Sequence, residues 1–310
     1  MGQSAATSER WTVAAVPDQH GRTVVITGAS SGIGFEAARV LADRGAVVVL
    51  ACRSEAKSEA AVQRIRAVVP GASLESVRLD LASLDSVRAA AAEVHRRFPR
   101  LDLLINNAGV MTPPYSRTAD GFELQFGTNH LGHFAFTGLL LDRIRDVPGA
   151  RIVTVASAAH RMGTINFDDL NFERGYRRSR AYGQSKLANL LFTYELQRRL
   201  AAAGAQAIAV SAHPGASRTE LDRHMPGWMR SVYHAVGGLV TQDAVGGSLP
   251  TLRAATDPAV EGGQYYGPSG FAELRGHPVI VRSGPRSYDV RTQARLWEES
   301  QRLTGVSYPV

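Results

Sequence analysis

The sequence predicts an α/β fold: a doubly wound, mostly parallel sheet in a single domain, with helices on both faces. Three observations carry that expectation. Short β-branched runs, among them Val24-Val25-Ile26 and Val47-Val48-Val49-Leu50, alternate with helical stretches instead of clustering, which is the pattern of βαβ units. These runs are apolar nearly throughout, as strands covered on both faces are. The first passes without a break into a glycine turn, Gly28 to Gly34, and then into a helix.

The bulk properties fit one soluble domain. The 310 residues are 44% hydrophobic and 20% charged, sufficient for one large core. Residues 1–20 read as a lead-in, with Trp11 and Val13 placed to tuck against the domain edge, and 21–310 as the domain. A single cysteine, Cys52, excludes an internal disulfide and a cysteine metal cluster, so a cytoplasmic setting is expected. No apolar run approaches the roughly 20 residues of a bilayer span, and no membrane anchor is expected. The net charge of +7 suits an anionic partner. Because the arginines are dispersed and no recognition motif accompanies them, nucleic acid is not that partner; a phosphorylated cofactor suffices.

Taken in order, Arg22 to Thr27 forms the first strand, and Phe35 to Arg44 continues a helix that Gly45 stops. Within the turn, Gly28 permits a tight bend, Gly32 the approach of a pyrophosphate, and Gly34 the packing of helix on strand. With Ser30, Ser31 and Ile33, the turn presents free N–H groups at a helix start to phosphates. A second strand, Ala46 to Ala51, ends in Cys52-Arg53. An acidic residue here suits the ribose hydroxyl of NAD, whereas an arginine suits the 2′-phosphate of NADP. Arg53 therefore favours NADP(H) over NAD(H), with Glu55 close by as a competing signal. Cys52 reads as a small buried residue.

A helix over 54–69, a turn at Pro70-Gly71 and a strand over 73–79 lead to Asp80-Leu81. Asp80 either accepts from an adenine amino group or caps the helix that starts near Ser83. Strand Leu101 to Ile105 then delivers Asn106-Asn107-Ala108-Gly109, small residues and amides suited to the crevice at the strand ends of a parallel sheet. Asn129 enters a helix running to Leu140. His130 and His133 are a helical turn apart but lack an acidic third ligand, so packing is expected and no metal site. Strand Arg151 to Val155 brings Ser157 to the crevice. Further on, Tyr182 and Lys186 stand four residues apart on a predicted helix, one turn apart on the same face. Such a pair is either a packed ring beside a solvated amine or a proton-transfer pair with a charge-tuned phenol.

Thr27-Gly28-Ala29-Ser30-Ser31-Gly32-Ile33-Gly34, Asn106-Asn107-Ala108-Gly109, Ser157, and Tyr182 with Lys186 together resemble the classical short-chain dehydrogenase/reductase family. The resemblance runs from Thr23 to Thr219 in the right order. Ala51-Cys52-Arg53, Thr128 to Phe134 and Ser185 to Asn189 are similar to the retinol-dehydrogenase-like branch, whose animal members usually carry a membrane anchor. The resemblance implies a Rossmann-type domain with a C-terminal substrate lid. It implies Tyr182 as acid/base, Lys186 lowering the phenol pKa and gripping the nicotinamide ribose, Ser157 holding a substrate oxygen, and Asn129 completing a proton relay. It also implies cofactor contacts from Asp80, Leu81, Asn107, Ala108 and Gly109, with Pro214, Gly215 and Thr219 over the nicotinamide. Homodimers or homotetramers are common in the family.

Tyr182 follows Ser157 by 25 positions, a longer separation than in many members. The insertion, about 160–180, is expected to form a rim of the substrate site. Its basic run, Arg174 to Arg180, reads as a solvated loop or an attraction for an acidic substrate group. A lid over about 216–240, with Met225, Trp228, Met229 and Tyr233, points to an apolar or partly aromatic substrate. A helix near Thr241 to Arg253, a strand near Gly263 to Tyr266 and a helix near Tyr288 to Leu303 end the chain. The expected reaction is reversible hydride transfer between NADP(H) and a small-molecule carbonyl or alcohol. A non-catalytic NADP-binding subunit on the same scaffold is the alternative, and has no need for Ser157, Tyr182 and Lys186 together. Reduction of a carbon–carbon double bond, as in light-dependent protochlorophyllide reductase, is disfavoured because the only cysteine lies beside the adenosine pocket.

Overall fold

The computed structural model describes residues 10–216 and 242–310. Eight strands form one sheet in the order β3-β2-β1-β4-β5-β6-β7-β8: β1 (Thr23–Thr27), β2 (Val47–Cys52), β3 (Leu74–Arg78), β4 (Leu103–Asn106), β5 (Arg151–Val155), β6 (Ile208–Ala212), β7 (Tyr265–Pro268) and β8 (Pro278–Ile280). All neighbours pair in parallel except β7 and β8. The helices are α1 (Gly32–Asp43), α2 (Glu55–Val68), α3 (Leu84–Arg97), the single turn α4 (Leu124–Phe126), α5 (Gly132–Leu140), α6 (Arg178–Ala202), α7 (Ala244–Thr256) and α8 (Val290–Thr304).

Alternation along each strand sends side chains to two cores. Val24, Ile26, Val48 and Leu50 pack under α1, α2 and α7. Val25, Val49, Leu104 and Ile152 pack under α3, α5 and α6, where Phe134, Phe192, Trp297 and Tyr308 form an aromatic cluster. Trp11 is buried in the first core.

The chain reverses its direction of travel across the sheet between β1 and β4, which are direct neighbours. Two crossovers leave in opposite directions there, opening a crevice at the carboxyl ends of the strands. Thr27-Gly28 and Asn106-Asn107 therefore meet at that crevice. Two local features differ from the sequence expectation. Residues Gly127–Leu131 form a π-helical turn ahead of α5, and an antiparallel edge strand, β8, follows β7. The segment expected to form the lid, with Thr219, lies outside the described residues apart from Ala216.

Candidate active site

The glycine turn is built for close approach. Gly28 and Gly32 have φ of +68° and +58°, a region that favours glycine. A Cβ on Gly28 would stand 2.9 Å from the Ala108 Cβ, and one on Gly34 only 2.4 Å from Asn107 Nδ2 and 2.6 Å from the Gly28 carbonyl oxygen. No side chain caps the start of α1, so its first N–H groups face the crevice. Thr27 ties the two strand ends together. Its Oγ1 accepts from the N–H groups of Asn107 and Ala108, each at 2.9 Å. Its proton goes to His133 Nε2 at 2.9 Å, because His133 Nδ1 already donates to the Asn129 carbonyl, also at 2.9 Å. Burial holds His133 down at about 4, so the imidazole is neutral in this chain of contacts.

At the end of β2, Arg53 is exposed and makes no ion pair among the described residues. Beside it lies a cavity of about 420 Å³ lined by Cys52, Glu55, Ala56, Ser58, Glu59, Ser76, Val77 and Arg78. Arg78, paired in register with Cys52, is a second exposed cation that the motif reading missed; its signal is an arginine two places before Asp80. The Asp80 alternative is partly resolved: Ser83 caps α3, and Asp80 instead accepts from the Ala82 N–H at 3.0 Å. Leu81 is buried beside it.

Ser157, Tyr182, Lys186 and Asn129 converge across the crevice from that turn. Ser157 leaves β5 and caps a short 3-10 turn, accepting from the Ala159 N–H at 3.2 Å. Its side chain also lies near enough to the Tyr182 phenol to lower that group's pKa. Lys186 Nζ donates to the Val155 carbonyl at 3.0 Å and sits 5.9 Å from the Tyr182 ring centroid. Asn129 uses its whole amide: Oδ1 accepts from the Val110 N–H at 2.8 Å, while Nδ2 donates to the Val110 carbonyl and to Ser185 Oγ, each at 3.0 Å. Gly109 lies between them. A Cβ there would be 3.1 Å from Asn129 Oδ1 and 3.5 Å from Lys186 Nζ, so the bare backbone keeps the passage to the lysine open.

The electrostatics differ from the expected tuning of phenol by ammonium. Burial pushes the Tyr182 phenol up, opposed only by the nearby Ser157 side chain, and burial pushes Lys186 down to about 8. The expectation that Lys186 depresses Tyr182 is thus not met in this structure. The ammonium points to a carbonyl on β5 instead of the phenol, and desolvation outweighs attraction at that separation.

Pro214 and Gly215 follow β6 at the crevice, with Gln242 Nε2 donating to the Pro214 carbonyl at 2.7 Å. In the insertion, Leu170 packs with Phe126, Leu187 and Leu191, and the Tyr176 hydroxyl donates to the Pro113 carbonyl at 3.0 Å. Arg177, Arg178 and Arg180 are exposed at the start of α6. His130 is buried and bonded to Ser300 Oγ, and no cluster of metal ligands occurs among the described residues.

A family model described as short chain dehydrogenase matches residues 22–229. Human retinol dehydrogenase 14 is 41% identical over 93% of this chain and 87% of its own, and human retinol dehydrogenase 13 is 42% identical over 93% and 86%. A crystal structure of a protein from Mycobacterium paratuberculosis superposes with a TM-score of 0.81 at 43% identity, covering 97% of this chain and all of the other. The chain belongs to the short chain dehydrogenase family, in its retinol-dehydrogenase-like branch, and is an oxidoreductase of alcohols and carbonyls.

Proposed function

We propose that the chain interconverts a carbonyl and its alcohol using NADP(H), with an apolar or partly aromatic compound as substrate. The observation that carries the reading is the convergence of Ser157, Tyr182, Lys186 and Asn129 on the far side of the crevice from the Gly28–Gly34 turn. The glycine cradle fits a dinucleotide, since side chains at Gly28 and Gly34 would collide with their surroundings. Gly28, Ser30, Ser31, Gly32, Ile33, Gly34, Asn107, Ala108, Gly109, Asp80, Leu81, Pro214 and Gly215 would hold it, with Arg53 and Arg78 at a 2′-phosphate. Thr219, assigned to the same task, lies outside the described residues.

A bound nicotinamide supplies the hydride in reduction and accepts it in oxidation. Tyr182, its phenol raised by burial, stays protonated at neutral pH and gives that proton to the substrate oxygen as negative charge develops there. Ser157 holds the same oxygen and fixes its direction. Lys186 provides the nearby ammonium, to bind the ribose. Asn129 pins the Val110 backbone beside the lysine and sets the path by which the proton is replaced. Support for an apolar substrate comes from the retinol dehydrogenase relatives and from Met162 and Phe271, exposed beside the Ser157 turn and the β7–β8 loop. A panel of ketones, aldehydes and alcohols, assayed by nicotinamide absorbance with each cofactor, tests the proposal. Turnover with NADPH on apolar carbonyls supports it; cofactor binding without turnover on any member favours the non-catalytic alternative.

A further inference from the structure

The loop between β7 and β8 holds a residue that no motif singles out. Ala272 and Glu273 have φ of 52° and 57°, a conformation that non-glycine residues keep only where their surroundings impose it. The result is the placement of one carboxylate. Glu273 accepts from Arg161 through both guanidinium nitrogens, at 2.9 and 3.3 Å, and its Oε2 lies 2.9 Å from Nε2 of the fully buried His213. Arg161 is 112 positions away in the chain, on the turn that starts at Ser157. Next to it, His160 donates from Nδ1 to the Ser157 carbonyl at 2.6 Å and accepts from the Gly284 N–H at 2.8 Å. His213 directly precedes Pro214, and its Nδ1 accepts from the Gly215 N–H at 3.3 Å. The ring of Tyr265 packs against both histidines, at 5.8 and 5.2 Å. The loop also braces the backbone: the Ala216 N–H donates to the Leu274 carbonyl at 2.8 Å, and a Cβ on Gly215 would meet that carbonyl oxygen at 2.4 Å.

We propose that Glu273 is a positioning residue: one carboxylate, set by a strained turn, that joins the turn carrying Ser157 to the loop Pro214–Ala216. The inference rests on the cofactor reading above, which assigns that loop to the nicotinamide. It separates the two halves of the crevice. The Glu273 clamp governs the nicotinamide end, whereas the glycine turn, Arg53 and Arg78 govern the adenosine end across the sheet.

The test is calorimetric titration of the full chain with NADPH and with 2′,5′-ADP, which carries the adenosine and its phosphate without a nicotinamide. Glu273→Gln keeps the shape and removes the charge; its NADPH affinity falls about tenfold, the cost of a charged hydrogen bond. Its affinity for 2′,5′-ADP stays within about twofold of the parent, because that end does not touch the clamp. Arg161→Met truncates a side chain that is 40% exposed and weakens NADPH selectively as well, so it decides the question should the glutamine variant not fold. Equal losses for both ligands, or no selective loss of NADPH, overturn the role of Glu273. A parent chain that binds neither ligand overturns the cofactor reading itself.

Discussion

Lys186→Met should stabilise the folded chain even as it removes a proposed participant in the chemistry. The ammonium is buried, and among the described residues its one hydrogen-bond partner is the Val155 carbonyl, at 3.0 Å. Burial brings its pKa from 10.5 to about 8, which corresponds to about 3 kcal/mol against the charged form. Methionine gives up the hydrogen bond, worth about 1–2 kcal/mol, but Asn189 Nδ2 still serves the Val155 carbonyl at 3.2 Å. The net gain expected near neutral pH is about 1–2 kcal/mol. The sign of the pH dependence follows from the depressed value. Below about 8 the amine is charged in both the folded and unfolded chain, and the penalty stands in full. Between about 8 and 10.5 the folded chain is the first to lose the proton, so the parent recovers stability as pH rises and the gap to the variant closes. Urea unfolding of both proteins at neutral pH and near pH 10 reads the effect. A variant no more stable than the parent at neutral pH, or a gap that persists at the higher pH, would refute burial as the governing influence on Lys186.

Other substitutions probe the frame around the site. Gly34→Ala places a Cβ 2.4 Å from Asn107 Nδ2 and 2.6 Å from the Gly28 carbonyl oxygen; it should cost about 1–3 kcal/mol in urea unfolding and weaken NADPH binding. Thr27→Val keeps the volume but deprives two N–H groups and His133 of their partner, for about 2–4 kcal/mol of lost stability. Arg53→Ala and Arg78→Ala should each weaken NADPH by about tenfold while leaving NADH unchanged; equal effects on both cofactors would remove the case for a phosphate contact. Burial keeps His130 and His133 neutral, at about 3 and about 4. Because the unfolded chain takes up protons first, stability should fall as pH drops from about 6.5 toward those values, and His130→Phe should flatten that fall.

What the sequence made legible was whatever is local in chain and space. The run from Thr23 to Gly34 encodes strand, turn and helix in consecutive residues, and a side chain at Gly28 or Gly34 would collide with its neighbours. Tyr182 and Lys186 share a helix, so their spacing alone set their relative position. The electrostatics of that pair were not legible, because the direction of the ammonium depends on the Val155 carbonyl, brought in by another strand. The π-helical turn at Gly127–Leu131 escaped notice because one extra residue per turn leaves no trace in the apolar pattern. Three residues at Pro278–Ile280 are too few to announce an edge strand. Glu273 and Arg78 follow no spacing rule; only the fold brings one to His213 and Arg161 and the other beside Cys52. Asp80 had two readings because the cap was its neighbour Ser83, three places along.

The most direct measurement compares the parent with Tyr182→Phe, which keeps the ring and removes the hydroxyl that carries the transferable proton, by following nicotinamide absorbance with an apolar carbonyl at saturating NADPH. Turnover should fall by roughly a thousandfold or more, within the range for loss of a general acid, while NADPH affinity by calorimetry is unchanged. A phenylalanine variant that turns over at a rate close to the parent's would contradict Tyr182 as that acid.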